Sequence, residues 1–276
     1  MDALARSWAW LRHQALPIYA GLATAYLLIP IAVIAVFSFG ATPKDKLTFA
    51  LGNGFTLEYW ETMFSIPELN EALLTSIKLA GLATLIATAI GTAMALALVR
   101  YRFRGRRLSN LLIVIPMATP EVVIGASLLS MFIYASFALG FTTLLIAHVM
   151  FCISFVVVVV RSRLIGFDRN LEEAAADLGA TPLQTFRLVT LPLILPGVVA
   201  AAMLAFALSI DDFVISNFNS GTTVTFPLYV YGVSLRGIPV QVNAVATLIF
   251  LVAAISAVGV LWQQRRAEKM ATVQPD

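Results

Sequence analysis

The chain has 276 residues, 60% of them hydrophobic and only 12% charged, with a net charge of +3 and a mean hydropathy of +0.90. That composition excludes a single water-soluble domain, because there is too little polar side chain to cover so much apolar surface. The apolar runs are unbroken where barrel strands would alternate, so the expected fold class is an all-α membrane protein with six transmembrane helices.

The first expected span, Ile18 to Phe39, follows Arg6 and Arg12. Its apolar stretch exceeds the usual core of a secretory signal, and Phe37 to Ala41 is a poor small-residue cleavage site, so it reads as an uncleaved anchor. A loop follows with Lys44, Lys46 and the acids Glu58, Glu61, Glu68 and Glu71. Span two, Leu73 to Val99, carries Ala83, Ala87, Gly91 and Ala95 at every fourth position, a small-residue stripe for close helix packing within this chain or against another. Five arginines come next: Arg100, Arg102, Arg104, Arg106 and Arg107.

Span three, Leu108 to Tyr134, contains Pro116 and Pro120, and Glu121 lies directly after the second proline. Each proline removes a backbone donor, so this span is expected to break where protein or water can serve the freed carbonyls. Span four, Thr142 to Val160, holds His148, expected to make a packing hydrogen bond rather than a proton relay, and Cys152, the one cysteine, which can form no internal disulfide.

The segment after span four is polar. Asn170 is placed to cap a short helix with Glu173 reaching back, alanines 174 to 176 extend it, and Gly179 suits a left-handed stop. Thr181-Pro182 then supplies a new cap with proline at the first helical position, and Leu183, Phe186, Val189 and Leu191 precede Pro192, which is expected to end the segment. The reading is helix, glycine turn, helix. Its alanine face allows close approach of another backbone, and Leu183 and Phe186 are anchors for a partner's pocket.

Span five, Leu193 to Ser216, carries Asp211 and Asp212 in its outer part; span six, Val242 to Trp262, leads to Arg265, Arg266 and Lys269. Taken as successive residues of one helix, the two aspartates point about 100° apart, so one is expected to line a path while the other caps or pairs. Acids inside a membrane are costly, which makes Glu121, Asp211 and Asp212 the candidate counter-ions for a cationic solute, with Tyr229, Tyr231 and the aromatics near Phe213 as candidate cation–π partners.

Arginines and lysines collect on one side if the spans alternate, including Arg161, Arg163, Arg169 and Arg187 after span four, which puts both termini in the cytoplasm. Because they are split among four segments beside apolar spans, they give no nucleic-acid surface. The sequence contains no G-x-x-x-x-G-K-[ST], H-E-x-x-H or G-x-S-x-G pattern, so ATP hydrolysis by a phosphate loop, zinc proteolysis and serine-esterase chemistry are not expected on this chain. No metal site or cofactor is expected.

The pattern Glu173-Ala174-Ala175, three residues, Gly179, nine residues, Val189-Thr190-Leu191-Pro192 resembles the EAA loop of ABC importer permeases, EAA-x3-G-x9-I-x-LP, departing only at Val189. The stretches VIPMATPEVVIGASLL, EEAAADLGATPLQTF, LAFALSIDDFVISNF and PVQVNAVATLI further resemble the second permease of spermidine/putrescine importers, although relatives for iron, aminoethylphosphonate and other solutes share parts of them. The resemblance implies a permease domain over residues 1–276 in the bacterial inner membrane. Within it, 1–72 form an anchor helix and external loop, 73–263 the core with the EAA loop at 170–192, and 264–276 a cytoplasmic tail. It implies that Glu172, Glu173, Ala174, Ala175, Gly179, Leu183, Phe186 and Pro192 couple the permease to a separate ATP-binding-cassette dimer. A homologous second permease and an extracytoplasmic binding protein are its other implied partners, besides membrane lipid. Import of another solute, aminoethylphosphonate, iron or another organic cation, is the alternative within that class, and a non-transporting membrane scaffold the alternative outside it.

Overall fold

A computed structural model describes residues 2–40, 54–166, 168 and 170–271, with side chains described from Ala15 and only in part beyond Ser256. The helices are α1 (Asp2–Phe37), α2 (Glu58–Glu61), α3 (Pro67–Arg100), α4 (Arg106–Ala118), α5 (Glu121–Tyr134), α6 (Phe141–Ile165), α7 (Asn170–Asp177), α8 (Pro182–Thr185), α9 (Leu191–Ile210), α10 (Val214–Asn219), α11 (Phe226–Ser234) and α12 (Val240–Ala271). An isolated antiparallel bridge pairs Gly40 with Phe55. Lys44, Lys46 and Arg169, which entered the charge argument, lie outside the described residues.

Among the described residues four helical stretches are long and apolar enough to cross a membrane: Ala15–Phe37, Pro67–Arg100, Phe141–Ile165 and Pro182–Ile210. The pair α4 and α5 qualifies jointly but bends by 113° at its break, so it counts as a fifth span only if the bent pair is taken as one. The sixth expected span lies in α12, whose described apolar part, Val240–Ser256, is shorter.

Chain contacts divide the protein into two compact units, residues 1–67 with 232–276 and residues 68–231. In the first, α12 packs on α1 and α2. Trp60 stacks on Phe39 with ring centroids 5.2 Å apart and donates its indole N–H to Ser38 Oγ at 3.3 Å.

The second unit is built around α6, which packs chiefly on α9 and also on α4, α5 and α10. Cys152, Val156, Val157 and Val160 are fully buried there beside Ile194, Ala201 and Ala205 of α9. The stripe Ala83, Ala87, Gly91 and Ala95 is entirely buried. A Cβ on Gly91 would lie 2.6 Å from Val156 Cγ1, so the stripe serves packing inside this chain, with α3 drawn onto α6. Gly197 plays the same part on α9, where an added Cβ would sit 2.9 Å from the Arg163 stem.

Three interruptions shape this unit. Thr119, held extended (φ −87°, ψ 134°) by the proline that follows, ends α4, and Pro120 then caps α5. Thr119 answers part of the lost bonding itself, because its N–H and its hydroxyl both donate to Ile115 O, at 2.9 and 2.7 Å. The second interruption divides α9 from α10 at Asp211 and Asp212, so the expected continuous span Leu193 to Ser216 stops at Ile210. The third is a turn of π-helix, Phe186–Thr190, between α8 and α9.

That π-turn corrects the expected stop at Pro192. A proline ring collides with the carbonyl four residues back in a regular helix. Widening the preceding turn, with Leu191 N–H bonded to Phe186 O, relieves the collision, and the helix runs on from Pro182 to Ile210.

Candidate functional site

Two arrangements carry chemistry: the polar segment 168–192 and the acids gathered at the two helix breaks.

In the segment 168–192, α7 is capped by Asp168, not by Asn170. The Asp168 carboxylate accepts the Asn170 N–H at 3.0 Å, which moves the cap two residues upstream. Glu173 is exposed, while Glu172 turns inward to pair with Arg100 at the end of α3 and to accept the Thr190 hydroxyl from the π-turn. Arg100 Nη2 also donates to Thr190 Oγ1 at 3.2 Å.

Helix α7 closes as the glycine suggests. Gly179 has φ +85°, its N–H bonds Ala176 O at 2.9 Å, and Ala180 N–H bonds Ala175 O at 3.0 Å, the paired bonds of a Schellman stop. Thr181 then caps α8, accepting the Gln184 N–H while Gln184 Oε1 accepts the Thr181 N–H at 2.8 Å. Neither α7 nor α8 has a buried residue. Leu178, Leu183 and Leu188 are 89%, 74% and 72% exposed, a concentration of bare leucine in a polar segment. Ala174 is exposed, Ala175 and Phe186 are half-buried, and Pro192 lies within the continuous helix.

The three acids sit at the two helix breaks. Glu121 opens α5, Asp211 closes α9 and Asp212 precedes α10. Helices α5 and α10 approach closely: Asn219 Nδ2 donates to Gly125 O at 3.2 Å, and a Cβ on Gly125 would lie 2.8 Å from Phe218.

The two aspartates differ sharply. Asp212 is 8% exposed, and its two oxygens accept the Ile215 and Ser216 N–H groups at 3.2 and 2.8 Å. It therefore caps α10, at a helix start and not on the face of one continuous helix. Asp211 and Glu121 are exposed.

Buried His148 braces this cap. Its Nδ1 lies 2.7 Å from Ser209 Oγ, its Nε2 3.0 Å from Ser216 Oγ and 3.5 Å from Asp212 Oδ2. The histidine thus spans the α9–α10 break, bonding one residue before it and one after. Sequence reading placed His148 in a packing bond but missed Ser209 and Ser216, whose signal was two serines flanking an intramembrane acid pair. Phe213 and Tyr231 meet with ring centroids 4.9 Å apart beside the break. Along the other break runs an apolar groove of about 240 Å³, lined by Ile115, Pro116, Thr119, Val123, Ile124 and Phe151 among others. The lining is apolar but for two hydroxyls, Thr119 and Ser127, which suits a hydrocarbon body.

Residues 87–271 match the family described as binding-protein-dependent transport system inner membrane component. The chain is 40% identical over 228 residues to the spermidine/putrescine transport system permease protein PotC of Haemophilus influenzae, covering 82% of this chain and 87% of that protein. It is 37% identical over 254 residues to the putrescine transport system permease protein PotI of Escherichia coli K12, covering 88% of each. The fold is similar to that of a bacterial ABC transporter involved in the import of the acidic polysaccharide alginate, with TM-score 0.65, 17% identity, and coverage of 96% of this chain and 99% of that one.

Proposed function

The chain belongs to the family of binding-protein-dependent transport system inner-membrane components, and from that premise we propose that it is the polyamine-translocating permease subunit of an ATP-driven importer. It is a multi-pass inner-membrane transport protein. In the proposed arrangement α12 completes six spans, residues 1–276 form one permease domain with 73–263 as its core, and both termini face the cytoplasm. A second homologous permease completes the pore. An ATPase dimer seats the 170–192 segment, and an extracytoplasmic binding protein delivers the amine. The permease itself carries no cofactor.

The observation that carries the coupling assignment is the bare leucine surface of the α7–α8 turn, α8 and the π-turn. A segment fixed by two caps and a glycine stop, yet showing Leu178, Leu183 and Leu188 to its surroundings, is built to be covered by a partner. Polyamine as cargo is supported by two relatives named for spermidine and putrescine and by the chemistry at the breaks. Exposed Glu121 and Asp211 are counter-ions for ammonium groups, and the apolar groove suits a methylene spacer. Two acids attract the cation without caging it.

Uptake in membranes carrying the whole assembly tests the proposal. Excess putrescine and spermidine should compete with the transported solute; failure of both to compete removes the polyamine assignment. Copurification tests the class, since a permease complex that holds no ATPase subunit would sink the coupling assignment.

A further inference from the structure

We propose that Arg100 is a positioning residue that clamps the coupling segment to the membrane-spanning helices, so that displacement of α7 by a bound ATPase is delivered to α3 and α9. This rests on the reading of 170–192 as the ATPase-docking segment.

A mechanical input needs a stiff connection, and α7 has few. It is eight residues long with none buried, and its own packing is to its neighbours in sequence, α8 and the π-turn. On its far side the Gly179 turn leads away, with open space around the glycine. Through α8 and the π-turn α7 rests on the start of the helix that runs from Pro182 to Ile210, and among the described residues its side-chain tie to α3 is the cluster of Arg100, Glu172 and Thr190.

The geometry of that cluster suits a clamp. Arg100 occupies the last turn of α3, Glu172 the first turn of α7 and Thr190 the end of the π-turn leading into α9. Both charges sit at the favourable ends of their helix dipoles, the cation at a C-terminus and the acid at an N-terminus. Thr190 is fully buried, and the Arg100 and Glu172 side chains are 25% and 21% exposed, so the pair is shielded from the full screening of solvent. Three elements separated by 72 and 90 residues of chain are thereby joined at one guanidinium. The helix that carries Arg100 is itself seated on α6 through Gly91 against Val156. Glu172, one residue before the EAA pattern, thus faces the spans, whereas exposed Glu173 is left to face a partner.

The test uses the whole transporter, with Arg100→Met, Arg100→Lys, Glu172→Gln and the exchange Arg100→Glu with Glu172→Arg. ATPase copurification, ATP hydrolysis and amine uptake are measured on each. Arg100→Met is expected to lower uptake per ATP hydrolysed by about tenfold, the upper range for a change along a coupling route, with the ATPase still bound, and Glu172→Gln to lower it in the same direction. Arg100→Lys should retain most of the coupling, and the exchange should recover a substantial part of it. Coupling at the wild-type level in Arg100→Met overturns the clamp. So does loss of ATPase binding or hydrolysis in parallel with uptake, which would make Arg100 a general stabiliser, and so does an exchange no better than the single variants. If the wild-type complex holds no ATPase, the docking reading fails first and is identified by that control alone.

Discussion

Asp211 and Asp212 are neighbours in sequence and opposites in duty. Asp212 spends its oxygens on the α10 backbone, with His148 alongside, whereas Asp211 is exposed. Asp212→Ala leaves two buried N–H groups unserved, at a cost of about 1–3 kcal/mol, and should lower the thermal midpoint of the purified complex. Asp211→Asn should leave that midpoint in place and reduce uptake several-fold, as expected when a counter-ion is removed from a cation path, roughly tenfold if the acid supplies about 1.4 kcal/mol. Equal melting of the two variants would contradict the division. Glycine positions give a second contrast. Gly221, at φ +56°, faces Leu139 O, which an added Cβ would approach to 2.5 Å, while Gly179, at φ +85°, has open space around it. Gly179→Ala should cost about 1 kcal/mol through backbone conformation alone, and Gly221→Ala several times as much because the carbonyl of another segment must also move. Differential scanning fluorimetry of the two variants separates these costs.

At the scale of elements, the sequence was legible wherever local chemistry decides. Gly179 as a left-handed stop, Thr181-Pro182 as a cap and the break at Pro116 to Pro120 were all readable, because each depends on residues within one turn. It misled where two local solutions compete. Asp168 and Asn170 are both good caps two residues apart, and the pattern alone does not choose between them. Pro192 reads as a terminator until a widened turn accommodates its ring, and Asp212 reads as a helical residue until its side chain takes the backbone bonds that end one helix and start another. The partners of His148 and Arg100 were out of reach for a different reason: they lie 61 to 90 residues away along the chain. The exposed leucines make the prediction at this scale. Leu183→Glu introduces a charge into a surface proposed to be desolvated by the ATPase, and should reduce copurification of that subunit by at least about tenfold, with little change in the melting of the permease itself. Undiminished copurification would place the contact elsewhere.

Across the whole molecule, the small-residue stripe on α3 and the glycine on α9 draw these helices onto α6 with little tolerance for added bulk. Gly91→Leu adds side-chain volume where even a Cβ meets Val156, and should destabilise the chain by about 1–3 kcal/mol or more, read as lost membrane insertion yield or a lowered midpoint. An unchanged midpoint would mean that α3 sits less tightly than its burial implies. Composition and hydropathy foretold an all-helical chain with spanning helices, of which four, or five with the bent pair, are seen among the described residues where six were expected, and the EAA pattern foretold the family. What they left open is how the polar segment is joined to the rest, since that depends on which distant side chains the packing brings within reach.

The continuity of the helix through Pro192 has a further consequence. From Pro182 to Ile210 the chain is one rod of 29 residues, about 43 Å long at a helical rise, with the exposed leucines at one tip and Asp211 just past the other. A rod of that length is a lever arm: tilting it by about 10° about one tip sweeps the other through roughly 7 Å, more than the reach of a hydrogen bond. Gripping one end is then enough to move an acid at the opposite end in or out of contact with an ammonium group, and the intervening distance amplifies the stroke.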